Sequence, residues 1–185
     1  MGYLKSFFQF SWDLVKVAVV ALLLAGLVRY FLVQPFFVEG ASMEPSFETG
    51  EYLLIDELSY YFKDIKRGEV VVFHYPLDTS KYYIKRVIGL PNETIEIKNG
   101  KITIYNNSNK EGFLVAENYI PSNFITEGSI KKKLGKDEYF VLGDNRSSSS
   151  DSRRWGNLPK NDIVGRVFLR AWPFDRVSIF EAPQY

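Results

Sequence analysis

A serine hydroxyl, a lysine amine and a dense polar loop are the groups in this sequence with the chemistry for acyl transfer. Ser42 stands in Glu39-Gly40-Ala41-Ser42-Met43-Glu44-Pro45. Serine is a weak nucleophile unless a neighbouring base accepts its proton. Lys85 stands in Tyr82-Tyr83-Ile84-Lys85-Arg86-Val87-Ile88-Gly89-Leu90-Pro91. A free lysine has a pKa of about 10.4 and is almost wholly protonated at neutral pH, so it is no base there. Burial against apolar groups destabilises the ammonium, and lowering the pKa by about 3 costs about 4 kcal/mol. The polar loop comprises Gly143-Asp144-Asn145-Arg146 and Asp151-Ser152-Arg153-Arg154-Trp155-Gly156. Each group alone has a plainer interpretation: a turn before Pro45, an alternating strand that shows Lys85 to solvent, and an ordinary surface loop. His74, the single histidine, offers another base, in a strand pattern with no matching motif.

Composition narrows the chemistry further. The 185 residues contain no cysteine, which excludes thiol catalysis, disulfides and cysteine metal sites. A single histidine makes a multi-histidine metal centre impossible, and neither a metal nor a cofactor is expected. The 23 Lys and Arg nearly balance the 22 Asp and Glu, so no charge field points to nucleic acid.

The elements that must position these groups fall into two parts. Residues 1–15 read as a short N-terminal arm, 16–37 as a transmembrane helix and 38–185 as the catalytic domain. Between Val17 and Val33 the only charge is Arg29. A helix rising 1.5 Å per residue needs about 20 residues to span a hydrocarbon core of about 30 Å, and Val17–Phe37 is that long. Pro35 lies where the helix ends, and Arg29 is close enough to that end to snorkel to the headgroups. The apolar run exceeds the roughly 7–15 residues of a cleavable signal and lacks a small-x-small end, which favours a permanent anchor. A buried helix of a soluble fold is the alternative. Lys5 and Lys16 before the run, with Glu39, Glu44 and Glu48 after it, favour a cytoplasmic N-terminus.

Beyond the anchor the chain reads as short strands. Glu51–Asp56, Glu69–Tyr75 and Tyr82–Gly89 are rich in β-branched and aromatic residues. Thr94–Lys98 and Lys101–Tyr105 flank Asn99-Gly100, a strong hairpin signal. Asn106–Lys136 is polar and irregular and reads as a surface ribbon rather than core. Strand character resumes at Glu138–Leu142, Ile163–Trp172 and Val177–Phe180. The fold class expected is mostly β, with too little helical period for an α/β hydrolase.

Jointly, the three chemical segments resemble the boxes of bacterial signal peptidase I, in that family's order and after an anchor in its place. Ser42, Met43 and Pro45 match a Ser-Met-x-Pro box. Lys85, Arg86, Gly89 and, one residue late, Pro91 match a Lys-Arg-x-x-Gly-x-Pro-like box. Gly143, Asp144, Asn145, Ser149, Asp151, Ser152 and Arg153 match the third. Arg67-Gly68-Glu69-Val70-Val71-Val72, Gly165-Arg166 and Trp172-Pro173 match the intervening and closing strands.

The resemblance implies a signal-peptidase-like β-barrel or sheet with a small β-ribbon insertion (about 99–136), preceded by one transmembrane helix. It implies a serine endopeptidase in which Ser42 attacks the scissile carbonyl and neutral Lys85 takes its proton, through an acyl-enzyme. By the same analogy Ser149 hydrogen-bonds and orients Lys85, and Asp151 pairs with Arg153 and Arg86, with Asp144 also supporting the site. Gly40, Met43, Tyr83 and Ile84 would contact substrate. Gly40 stands where some members carry an oxyanion-stabilising serine, as in the Gram-positive-like branch, which leaves that work to backbone N–H groups. Asn92 replaces a common glycine. The implied substrates are exported preproteins cut after small-x-small sites, and the implied surroundings are the bilayer, a nearby secretion translocon and no nucleic acid. The implied location is the bacterial cytoplasmic membrane, single-pass, with the catalytic domain on the extracytoplasmic face. A self-cleaving repressor type also uses Ser and Lys but is soluble. A non-catalytic anchored β-domain requires the pairing of Ser42 and Lys85 to be coincidental.

Overall fold

A computed structural model describes residues 2–31, 33–121 and 124–183. The chain opens with α1 (Gly2–Phe31), a helix of 30 residues. Three strands and a helical turn follow: β1 (Val33–Phe37), β2 (Tyr52–Asp56), α2 (Ser59–Phe62) and β3 (Val70–Tyr75). Next come β4 (Asp78–Gly89), β5 (Thr94–Lys98), β6 (Lys101–Tyr105), β7 (Phe113–Leu114), β8 (Ile130–Lys133) and β9 (Glu138–Leu142). The chain closes with α3 (Ser152–Trp155), β10 (Leu158–Pro159), β11 (Ile163–Trp172) and β12 (Ser178–Ile179). The domain is mostly β, as expected.

The boundary of the first helix differs from the one expected at 16–37. The helix begins at Gly2 and stops at Phe31, and Val33–Phe37 forms a strand instead. Pro35 lacks an N–H and clashes with a helical turn, whereas an edge strand accommodates it. β1 is such an edge, pairing only β2, with Pro35 opposite Leu54. Along α1 the apolar side chains of Phe7, Phe10, Trp12, Leu14, Val17 and Leu22 stand exposed. Among the described residues no helix is long and apolar enough to cross a membrane. The expected snorkelling of Arg29 lies outside the described residues.

Two antiparallel sheets make up the domain. The larger has eight strands in the order β1-β2-β11-β3-β4-β9-β10, with β12 added to β11. The smaller has four, in the order β7-β6-β5-β8. Within it, β5 and β6 form the hairpin read from Asn99-Gly100, whose φ values of 51° and 76° are the positive ones a two-residue turn of this kind requires. Asn106–Lys136 is not the coreless ribbon expected. It supplies β7 and β8 to the small sheet, and Val115 and Leu134 bury themselves with Ile88, Ile95, Ile104 and Phe140. Burial of those few apolar residues, spaced irregularly among polar ones, is set by tertiary contact and not by local period. Two further clusters pack the large sheet, one around Met43, Phe47, Leu53 and Ile55, the other around Val71, Phe73, Val87 and Val141.

Candidate active site

β4 is the element that makes a lysine unusual here. Its outer half, Thr79–Tyr82, is exposed, while Lys85–Gly89 is buried between β3 on one side and β9 on the other. Alternation fails because this half is covered on both faces, and Lys85 is only 3% exposed. Ser42 sits in the turn that follows β1, which β2 holds in place through the bond from the Val38 N–H to the Glu51 carbonyl.

The two groups meet. Lys85 Nζ lies 2.7 Å from Ser42 Oγ and donates to the Ile84 carbonyl at 2.7 Å. It also stands 5.3 Å from the centre of the Tyr83 ring. Burial pushes the Lys85 amine down to about 8, and the negative charges of Asp151 and Asp144 oppose that shift. Desolvation wins, so a sizeable share of the amine is neutral near pH 7–8. His74 takes no part in this pair: its Nδ1 lies 2.8 Å from the Thr79 carbonyl and its ring packs on Tyr82.

The polar loop is fixed by β9, whose last residue Leu142 lies opposite Arg86. Arg86 grips Asp144 through Nε at 2.8 Å and Nη2 at 2.5 Å. The carboxylate that Arg86 holds is thus Asp144 rather than the expected Asp151. The expected Asp151–Arg153 pair does form, through Arg153 Nε and Nη2, both at 2.8 Å, and the Gly143 N–H adds a bond to the same carboxylate at 3.1 Å. Asp151 also caps α3, accepting from the Arg153 N–H. The Asn145 N–H donates to the Ser42 carbonyl at 3.1 Å, so the loop holds the serine's backbone directly.

Ser149 differs from the expectation. Its Oγ is buried and has no hydrogen-bond partner among the described residues, so the Lys85–Ser149 bond is not made. It packs instead against Gly143, where an added Cβ would collide with Ser149 Cβ at 2.6 Å and with the Ser42 carbonyl. Met43 is wholly buried in the core beside Val38 and Phe47 and does not line the cleft. The side chain after Ser42 thus points inward and anchors the turn.

The cleft itself, about 640 Å³, is bounded by Phe36–Ser42 on one side and Lys81–Lys85 on the other. Leu53 and Val72 also line it, together with Ser148 and Ser150. Tyr83, Ile84 and Gly40 do lie there. Gly40 has φ +93°, in the left-handed region, and its N–H donates to Thr49 Oγ1 at 3.0 Å. Asn92 likewise adopts φ 65°, a conformation asparagine tolerates better than most residues, which accounts for its standing in a glycine position. No group of metal-ligating side chains occurs among the described residues. Sequence reasoning passed over Arg146, which is 3% exposed and bonded to Glu117 and Thr126. It follows Asn145 in the polar loop at a position that the third box leaves variable, so only its neighbourhood pointed to it.

Residues 11–172 match the family described as signal peptidase, peptidase S26. A probable signal peptidase I-2 from Synechocystis is 37% identical over 177 residues, covering 91% of this chain and 77% of that one. A signal peptidase I from Bacillus amyloliquefaciens is 40% identical over 174 residues, covering 88% and 86%. A crystal structure of a signal peptidase I from Enterococcus faecalis aligns with TM-score 0.48 and 26% identity over 57% of this chain and 97% of that one.

Proposed function

This chain belongs to the peptidase S26 family and is a serine peptidase of the signal peptidase I kind, and we propose that Ser42 and Lys85 carry its chemistry. Membership implies preproteins with signal peptides as substrates. The observation that carries the assignment is the 2.7 Å approach of a buried Lys85 amine to Ser42 Oγ.

In this reading, the neutral amine accepts the Ser42 proton as Oγ attacks the scissile carbonyl. The ammonium returns that proton to the leaving amine of the mature protein, leaving the signal peptide esterified to Ser42. Water then attacks the ester, with Lys85 again accepting a proton and Ser42 recovering one. Gly40 offers no side chain, so stabilisation of the oxyanion falls to backbone donors, the Ser42 N–H foremost. Substrate enters extended between the Val38–Ser42 run and β4, where Tyr83 and Ile84 crowd out all but small side chains. Small-x-small selectivity follows. Asp144, Asp151, Arg86 and Arg153 hold the loop beside the base and do not touch substrate. Ser149 stands ready to receive the ammonium when Ser42 is acylated, its hydroxyl having no hydrogen-bond partner among the described residues.

The same reading makes α1 a signal-anchor in the bacterial cytoplasmic membrane, N-terminus inside and catalytic domain outside, near the translocon that delivers preproteins. Thirty residues of helix reach about 45 Å. From Val17 to Phe31 the sequence carries one charge, Arg29. Its exposed apolar side chains have no protein cover, and lipid is the cover that suits an all-round apolar surface. The anchor would set Ser42 near the bilayer surface, where cleavage sites emerge.

Detergent-solubilised chain incubated with a preprotein, followed by sequencing of the product N-terminus, tests the assignment. Cleavage after a small-x-small site is expected, and Ser42→Ala and Lys85→Ala each abolish it while leaving the fold intact. Retained cleavage in either purified variant would overturn the dyad.

A further inference from the structure

We infer that Glu117, Tyr119 and Thr126, which lie between β7 and β8, clamp the catalytic loop through Arg146, with Glu117, Thr126 and Arg146 as positioning residues for the reaction. The inference rests on the Ser42–Lys85 reading and gives the small sheet a part in it.

Arg146 is the centre of the clamp. Its guanidinium is almost fully buried, an expensive placement unless every N–H finds an acceptor. The acceptors come from both sides. Nη1 donates to Glu117 Oε2 at 2.8 Å and to Thr126 Oγ1, and Nη2 donates to Glu117 Oε1. Nε donates to the Gly143 carbonyl at 3.1 Å. One planar fork thus ties a remote ribbon to the first residue of the catalytic loop, and a fork of this kind fixes direction as well as distance.

What it ties down is the strip of backbone that touches the nucleophile. The Gly143 N–H is held by Asp151, the Gly143 carbonyl by Arg146, and the Arg146 carbonyl by Arg153 Nη2 at 2.5 Å. Between them, the Asn145 N–H holds the Ser42 carbonyl. Gly143 has no room to shift toward Ser42 or Ser149. A second tie runs through Tyr119. Its hydroxyl donates to Glu117 Oε1 at 2.8 Å and its ring lies 4.0 Å from the Arg86 guanidinium, which grips Asp144. The two arginines that anchor the loop therefore share one support, Glu117 with Tyr119, which lies between them in the chain.

Loosening that support moves the loop away from Ser42 and lets water reach Lys85. The groups that face the amine are Ser42, the Ile84 carbonyl, the Tyr83 ring and the Asp144 and Asp151 charges. Asp144 and Asp151 belong to the loop or its flank, so the amine's proton affinity reports the loop's position.

The full chain in detergent, with one preprotein substrate, provides the test. Glu117→Gln keeps the shape but removes the charge, and Thr126→Val removes one acceptor at constant volume. We expect Glu117→Gln to lower kcat by about tenfold or more with KM within about twofold, the pattern of a misplaced catalytic group. Its acid limb should move to higher pH, because water reaching Lys85 relieves desolvation, the largest influence on the amine, and this outweighs the retreat of the Asp144 and Asp151 charges, which alone would move it lower. Thr126→Val should show the same pattern at smaller amplitude, and it decides the matter should Glu117→Gln fail to fold. Folded variants with the wild-type kcat and the wild-type acid limb, whatever their melting temperature, would refute the clamp. Ser42→Ala run alongside separates the two ideas: if it retains activity the dyad is wrong, and if it is dead while Glu117→Gln matches wild type only the clamp is wrong.

Discussion

At the scale of single residues, the account turns on what burial does to Lys85. Lowering its pKa from 10.5 to about 8 corresponds to about 3 kcal/mol spent on holding an amine away from water. The unfolded chain keeps that proton up to about 10.5 and the folded one only to about 8, so stability rises with pH between the two. Below pH 8 the cost is present in full. Lys85→Met removes the amine at similar volume and gives up its contacts to Ser42 Oγ and the Ile84 carbonyl. Its expected effect is a gain of about 1–2 kcal/mol at pH 7 that turns into a loss of about 1–2 kcal/mol by about pH 10.5, where the wild type no longer bears the cost, read from urea unfolding, with activity lost. A variant less stable than wild type at both pH values would show that the site is not strained by its base. Gly143 gives a second prediction. A methyl group there meets Ser149 and the Ser42 carbonyl, so Gly143→Ala should lower kcat by about 10²-fold while the protein stays folded. Steady-state kinetics with a circular dichroism control would check it.

Among the elements, β1 carries more than its position suggests. It completes the large sheet beside β2 and, through Phe36 and Phe37, walls the cleft. Phe36 also packs on the core around Met43 and Leu53. A chain beginning at Val33 should therefore keep the domain's melting temperature and its cleavage of a soluble peptide. One beginning at Val38 exposes the edge of β2 and loses that wall, and it should unfold at lower temperature with little activity left. Equal stability and activity in the two truncations would mean that β1 is an appendage of α1. The site's other elements divide their work simply. β4 buries the base, the turn after β1 presents the nucleophile, and β9 with α3 frames the loop that joins them.

For the molecule as a whole, what the sequence disclosed was whatever local chemistry settles. The Asn99-Gly100 hairpin and the strand stretches from β2 to β6 could be read directly, because turn geometry and β-branched runs act over a few residues. Ser42 and Lys85 were legible only in combination, since neither residue type reveals burial. Contacts chosen by three-dimensional fit were hidden. Whether Arg86 takes Asp144 or Asp151 depends on where β9 ends and α3 begins. The split between α1 and β1 falls inside one apolar run, and the buried places of Val115, Leu134 and Arg146 arise from packing between distant segments. The basicity of Lys85 is itself such a property, assembled from β3, β4, β9 and the turn at Ser42. The most direct test is the pH dependence of kcat/KM for preprotein cleavage by the solubilised full chain. The account predicts a single acid limb with its midpoint near pH 8, activity falling about tenfold for each pH unit below it. A profile flat down to pH 5 would contradict a lysine base.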